Sequence, residues 1–161
     1  MTARLRLRSP VGPLTLEAGD QGVFGVAFGP QGASHPGVSA RARAHVEEAR
    51  AALEAYFRGE APRLPALDLR GSPFQLAVWR ALLEIPWGET RTYGALAARL
   101  GRPGGARAVG GANHLNPIAI LVPCHRVVQA GGGLGGYGAG LAVKRWLLAH
   151  ETAHAPALRR A

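Results

Sequence analysis

The chain has 161 residues, enough for one domain with a sizeable core or for two small ones. Its formal net charge is +9, from 19 Lys and Arg against 10 Asp and Glu, and Cys124 is its only cysteine. A single cysteine excludes an internal disulfide and a multi-thiolate zinc cage, and the opening Met1-Thr2-Ala3-Arg4-Leu5-Arg6 holds no apolar run of signal-peptide or membrane-span length, so a soluble cytoplasmic protein is expected.

Residues 1–70 predict a scaffold domain. Short strands are expected over 3–9, 12–18 and 22–28, with Pro10 to Pro13 and Gly19 to Gly22 as turns, which gives an antiparallel meander. A helix is expected from about Ser39 to Arg58, because Ala42, Val46, Ala49, Leu53 and Tyr56-Phe57 recur at helical spacing. Gly59 to Leu69, with Pro62 and Pro65, reads as the linker.

Residues 71–161 predict a second, mostly helical domain, and the two together give an α+β fold class. Ser72-Pro73 is an N-cap followed by proline at the first helical position. Thr92 caps a helix over Tyr93 to Leu100, closed by Gly101 and Pro103, and a further helix runs from about Gly104 to His114. Two short helices joined by a glycine turn have helix-turn-helix spacing. In the second of them Ala106, Gly110 and Gly111 flank Arg107, the one long side chain before Asn113. That surface suits a backbone approaching another molecule while one arginine projects into it; close packing against the protein's own core is the competing reading.

Charge is unevenly distributed along the chain. Residues 1–70 carry nine basic and seven acidic groups, whereas residues 71–161 carry ten basic and three acidic. A polyanion is the expected partner, and nucleic acid suits the chain better than a lipid surface, because no basic amphipathic helix is evident.

Cys124 sits in Pro123-Cys124-His125-Arg126, between the apolar runs Ile118–Val122 and Val127–Val128. The segment reads as strand-like, and buried cysteine often serves as a small hydrophobe. Here, however, His125, Arg126 and Asn116 crowd it with polar groups that are costly to bury, which marks a site with an activated thiol nucleophile. Adjacent residues of an extended strand face opposite sides, so contact between His125 and Cys124 requires a bend after Pro123. His150-Glu151-Thr152-Ala153-His154 also fits the zinc-peptidase pattern, but Pro156 follows closely and little chain remains for a third ligand. The glycine run Gly133 to Gly138 fits a dinucleotide pattern without a βαβ unit or the acidic residue that should follow.

The run from Tyr93 through Glu151 strongly resembles the O6-alkylguanine-DNA alkyltransferases. The resemblance is carried by Arg107-Ala108-Val109-Gly110-Gly111-Ala112, Asn116-Pro117, Pro123-Cys124-His125-Arg126-Val127-Val128, Gly136-Tyr137-Gly138 and Leu141-Ala142-Val143-Lys144, and it covers about residues 72–151. It implies an N-terminal domain of ribonuclease-H-like shape and a C-terminal domain with a DNA-binding helix-turn-helix. The implied activity is repair by direct reversal. O6-alkylguanine is flipped out of double-stranded DNA from the minor-groove side, and its alkyl group passes irreversibly to Cys124, once per molecule, without metal or other cofactor.

The same resemblance implies the roles of individual residues. Arg107 fills the gap left by the flipped base, with Ala106, Gly110, Gly111 and Asn113 at the DNA. Tyr93 displaces the phosphate beside the lesion and bonds the base at N3. Tyr137 walls the pocket, the Gly138 amide meets O6, and the carbonyls of Cys124 and Val127 accept from the guanine amine. Cys124 loses its proton through a water to His125, which Glu151 orients, while Asn116 steadies the loop before the active-site strand. A monomer is expected in the absence of DNA. A noncatalytic lesion-binding protein is the alternative within this resemblance, but such relatives replace the acceptor cysteine.

Overall fold

The computed structural model describes residues 2–30, 32 and 37–159. Its contacts gather into two units: Met1–Arg70 with Pro117–Leu121, and Gly71–Asn116 with Val122–Ala161. The elements are of the mixed α and β kind expected.

In the first unit β1 (Ala3–Leu7), β2 (Leu14–Gly19) and β3 (Gly22–Phe28) form an antiparallel sheet in that order. The third strand has the expected bounds, but the first two are displaced. Ser9 Oγ donates to Gly12 O at 2.6 Å and accepts from Val11 N–H at 3.2 Å, which turns the chain after Leu7. Pro13 has no N–H to give a ladder, so β2 begins only at Leu14.

Helix α1 (Ala40–Phe57) starts where its cap dictates, with Ser39 Oγ accepting from Ala42 N–H at 3.0 Å. Its buried stripe of Ala42, Val46, Ala49, Leu53 and Tyr56 packs on the sheet, chiefly on β2, where Leu14 and Leu16 are fully buried.

The open edge of β3 is covered by two short pieces of chain. Val23 N–H donates to Ala66 O at 2.8 Å and Asp68 N–H to Val23 O at 2.7 Å, so the end of the expected linker is a pinned edge strand. Gly22 permits this approach, since a Cβ there would lie 2.6 Å from Ala66 O. Farther along, Val26 N–H donates to Pro117 O at 3.0 Å and accepts at its carbonyl from Ala119 N–H at 3.1 Å.

In the second unit α2 (Pro73–Leu83) opens with a full capping box, in which Gln75 N–H meets Ser72 Oγ and Ser72 N–H meets Gln75 Oε1. The two-residue strand β4 (Arg91–Thr92) leads into α3 (Tyr93–Arg99), capped by Thr92 Oγ1 on Ala95 N–H at 3.0 Å. Helix α4 (Ala106–His114) begins two residues later than expected: Gly104 is left-handed, at φ +82°, and Gly105 offers no side-chain cap. Its far end is tied down by Trp79 Nε1–H, which donates to Ala112 O at 2.9 Å. Parallel pairing joins β4 to β5 (Val127–Val128), and α5 (Leu141–Arg159) completes the unit. No described helix is long and apolar enough to cross a membrane.

Candidate active site around Cys124

The cysteine does not lie in a strand. Leu121 N–H bonds Ala119 O at 2.8 Å around Ile120, which has φ +71°, a strained γ-turn for a β-branched residue. Cys124 N–H then bonds Val122 O at 2.8 Å around Pro123, whose φ −82° and ψ 64° are those of an inverse γ-turn. Cys124–Arg126 follow as one 3-10 turn. Composition made the segment resemble a strand, because apolar runs look alike whether they pair or coil under a buried loop. The turns supply the bend that contact between neighbouring side chains requires.

Asn116 clasps the base of this excursion, its Nδ2 donating to Val122 O at 2.8 Å. Cys124 is 8 % exposed, and burial pushes its thiol up. Four features oppose that push by favouring the thiolate: a hydrogen bond from Asn116, the nearby Lys144 ammonium, and the backbone amides of Cys124 and His125.

His125 and Arg126 project from the same turn onto one carboxylate. His125 Nε2 stands 2.5 Å from Glu151 Oε2, and Arg126 Nε donates to Glu151 Oε1 at 2.7 Å. Gly88 N–H adds a third donor at 3.3 Å, and Arg126 Nη1 donates to Ile85 O at 2.7 Å. Burial alone would raise the Glu151 carboxyl, but the donors from His125 and Arg126 outweigh it and hold the group at about 2. Burial lowers His125, against the pull of Glu151, so its imidazole is neutral. An ionised carboxylate can only accept; the ring proton therefore sits on Nε2, and Nδ1 carries the lone pair of a base.

Lys144 is fully buried on α5 and donates to Val127 O at 2.7 Å and Gly136 O at 3.2 Å, so one ammonium ties the strand after the cysteine to the glycine loop. Burial lowers its affinity for a proton and Cys124 raises it. Tyr93 is half-buried, with its ring between two glycines: a Cβ at Gly135 would lie 2.7 Å from Tyr93 Oη, and one at Gly110 would lie 3.7 Å from the ring. Burial raises the phenols of both Tyr93 and Tyr137, which keeps them as donors at neutral pH. Gly138 is exposed beside Tyr137, with open space where a Cβ would stand.

On α4 the expected DNA-side residues separate. Arg107 and Gly111 lie on the exposed stripe with His114, while Ala106 and Gly110 are partly covered. Asn113 departs from the expected surface position: it is 5 % exposed and its Nδ2 donates to Cys124 O at 3.3 Å. It falls two residues beyond Gly111, a rotation of about 200° on a helix of 3.6 residues per turn, and so faces inward.

The carbonyls of Cys124 and Val127, expected to accept from the guanine amine, also take donors from within the protein. Val127 N–H and Asn113 Nδ2 both reach Cys124 O, and Lys144 Nζ reaches Val127 O. Sequence reasoning quoted Arg126 and Lys144 without giving them roles. The available signal was that Lys144, Leu147 and Glu151 share one face of a helix otherwise packed through apolar groups.

The zinc-peptidase pattern is not assembled as such. Its Glu151 is committed to His125 and Arg126, and His150 stacks on Trp146 at 4.7 Å between ring centroids. Among the described residues no three His, Cys, Asp or Glu side chains gather as metal ligands would.

Comparison with known proteins places this geometry. Residues 73–153 match the family profile described as 6-O-methylguanine DNA methyltransferase, DNA binding domain. A methylated-DNA–protein-cysteine methyltransferase of Mycolicibacterium paratuberculosis is 61% identical over 106 residues, 65% of this chain and 64% of the relative, so the match spans less than two thirds of that protein. One from Methanosarcina acetivorans is 46% identical over 149 residues, 89% of this chain and 94% of the relative. Among solved structures, Mycobacterium tuberculosis OGT in complex with DNA superposes with a TM-score of 0.81 at 46% identity, over 92% of each chain. With residues 73–153 matching that profile and a relative 46% identical over 89% of this chain, the chain belongs to the 6-O-methylguanine DNA methyltransferase family.

Proposed function

We propose that the protein repairs DNA by direct reversal, taking the alkyl group of O6-alkylguanine onto Cys124 in a single irreversible turnover. The observation that carries this reading is the hydrogen-bonded chain behind the cysteine: Glu151, held ionised by the donors from His125 and Arg126, fixes the proton of His125 on Nε2 and leaves Nδ1 as the base. His125 Nδ1 takes the Cys124 proton through a bridging water. The thiolate attacks the alkyl carbon, the C–S bond forms as the C–O6 bond breaks, and the electron pair leaves on O6. Protonation of the base then returns ordinary guanine, with Tyr93 as a donor at N3 and the Gly138 amide at O6. The product is a thioether with no group beside it to cleave it, so one protein repairs one lesion.

Double-stranded DNA bearing the lesion is the partner. The helices α3 and α4, joined by the turn at Gly101 to Gly105, act as the helix-turn-helix, and the first unit takes the ribonuclease-H-like role of scaffold. The small residues of α4 enter the minor groove, about 6 Å wide, and Arg107 occupies the gap in the stack. The net positive charge of residues 71–161 supports the same face. The family resemblance also supports a monomer before DNA is bound and a cytoplasmic site of action.

Intact-protein mass after mixing with a duplex holding one O6-methylguanine tests the reading. One added methyl mapped to Cys124, absent in Cys124→Ala and capped at one per protein, is expected. Tight binding without a mass gain would make the chain a lesion-recognition protein instead.

A further inference from the structure

We propose that Arg126 is a positioning residue for the transfer: acting through Glu151, it keeps His125 a neutral base and so sets how far into acid the protein can react. The inference rests on Cys124 being the alkyl acceptor and His125 its base. It starts from a cation that the protein buries although burying a charge is costly. Arg126 is 8 % exposed, and its guanidinium is spent inside the protein, Nε donating to Glu151 Oε1 and Nη1 to Ile85 O, each at 2.7 Å. The turn that supplies Ile85 O also grips Glu151, through Gly88 N–H on Oε1 at 3.3 Å and Trp87 Nε1–H on the backbone carbonyl at 2.9 Å. Arg126 and Glu151 are thus fixed against one frame, and Oε2 is left for His125.

The balance of charges says what the guanidinium does there. An imidazole beside a lone buried carboxylate gains by taking a proton, because the product is a balanced pair. Arg126 supplies that balance first. With guanidinium and carboxylate already paired, an imidazolium would be an uncompensated cation in a buried site. Arginine suits the task because its guanidinium does not give up its proton. The other groups around His125 do not undo the effect. The turn packs on α5 and α2. From α5 come Glu151, which favours the imidazolium, and Lys144, whose ammonium opposes it as Arg126 does. Tyr137 brings a phenol and Cys124 a thiol, both held neutral by burial at rest. The one charged side chain of α2, Arg80, is exposed. Lys144 bonds the carbonyls of Val127 and Gly136, so of the two buried cations Arg126 is the one that bonds Glu151.

Single-turnover transfer from a duplex holding one O6-methylguanine, read by intact-protein mass from about pH 5 to 8.5, tests this on the full chain, Arg126→Gln and Arg126→Lys. Glutamine keeps a donor for Glu151 and removes the charge; lysine keeps the charge. In Arg126→Gln the pH below which transfer fades is expected to rise by about one unit, a loss of about tenfold relative to the plateau on the acid side. Arg126→Lys should stay near the unaltered protein. An unmoved acid limit in folded Arg126→Gln overturns the proposal however far the plateau drops, because a merely structural role slows transfer at every pH alike. Nitrogen-15 spectra of the unaltered protein, with His125 picked out of the six histidines by its loss in His125→Gln, decide the matter even if Arg126→Gln does not fold. His125 is expected to hold its neutral Nε2–H form down to about pH 6, and an imidazole that charges at its ordinary 6.5 overturns the proposal. If the unaltered protein gains no methyl on Cys124, the acceptor reading fails instead, while the spectra still report on Arg126.

Discussion

Arg126 donates to Glu151 Oε1 at 2.7 Å, on the opposite oxygen from the one used by its sequence neighbour His125. Two consecutive side chains converge on one carboxylate because they leave a 3-10 turn; from a strand they would point to opposite faces. Donors from both His125 and Arg126 keep Glu151 charged, and burial keeps the imidazole neutral, so the proposed relay does not depend on a buried histidine becoming a cation at rest.

Replacing Glu151 by Gln should therefore damage two properties at once. Transfer to Cys124 is expected to slow by about a hundredfold, in the range of a lost general base. The buried guanidinium of Arg126 loses its counter-charge, at a cost of about 3 kcal/mol in stability. Quenched-flow mass spectrometry and thermal melting read the two effects separately; a variant with wild-type rate would show that the relay is idle.

Stability should fall with acid from two groups acting in the same direction. Glu151 sits at about 2 when folded against 4.5 when free, so its contribution is complete above pH 4.5, is lost as pH falls toward 2, and is on the order of 3 kcal/mol. His125 is lowered when folded, so below about pH 6.5 the unfolded chain binds a proton that the folded one resists, and stability begins to decline there. Denaturant titrations between pH 7 and 3 should show a gradual loss below pH 6.5 that steepens below 4.5. Stability flat across this window would contradict both assignments.

Gly111→Ala separates folding from DNA binding. The position is exposed within α4, has ordinary helical backbone, and has nothing within 4 Å of a new Cβ. The free protein should gain about 1 kcal/mol from better helix propensity. Duplex affinity should drop, because the added methyl stands where a groove wall approaches. A higher melting temperature with unchanged affinity would remove this part of α4 from the DNA face.

The opposite outcome is expected at Gly135→Ala. The residue is left-handed at φ +75°, and a Cβ would meet Tyr93 Oη at 2.7 Å. Strain of about 1–2 kcal/mol and a displaced phenol should follow. Transfer from a free alkylated base should suffer as well as transfer from duplex DNA, since the proposed role of Tyr93 as a donor at N3 is exercised on both. Comparing the two substrates is the measurement.

Arg107→Ala should show the reverse pattern, with a large loss on duplex DNA and little on the free base, because an exposed arginine that fills a gap in the stack has no role once the base is already out. Equal loss on both substrates would remove it from that role.

Local chemistry was legible in the sequence. Ser39, Ser72-Pro73 and Thr92 each announce a helix start through their own side chains, and each caps the helix expected of it. What composition could not show was how the chain reaches Cys124. Ile118–Val122 has the apolar content of a strand, yet it is held by one edge of β3 and then by two γ-turns, features set by partners about ninety residues away in sequence. Asn113, which the resemblance put at the DNA, is buried instead, and its partner is the cysteine's own carbonyl, a contact that spacing along the helix does not announce. Glu151 was named through the resemblance, and Lys144 was readable in principle, as a second charge at helical spacing from it on a face that packs inward.

The excursion of Pro117–Leu121 to the sheet of the first unit has a consequence for dissection of the protein. A cut near residue 70 does not yield two self-sufficient pieces, because the edge of β3 would lose its partners at Val26 while Ile118 and Ile120, 0 % and 2 % exposed, would be laid bare within the other fragment. The five residues Pro117–Leu121, which lead toward Cys124, thus take their footing from β3, a strand laid down about ninety residues earlier in the chain.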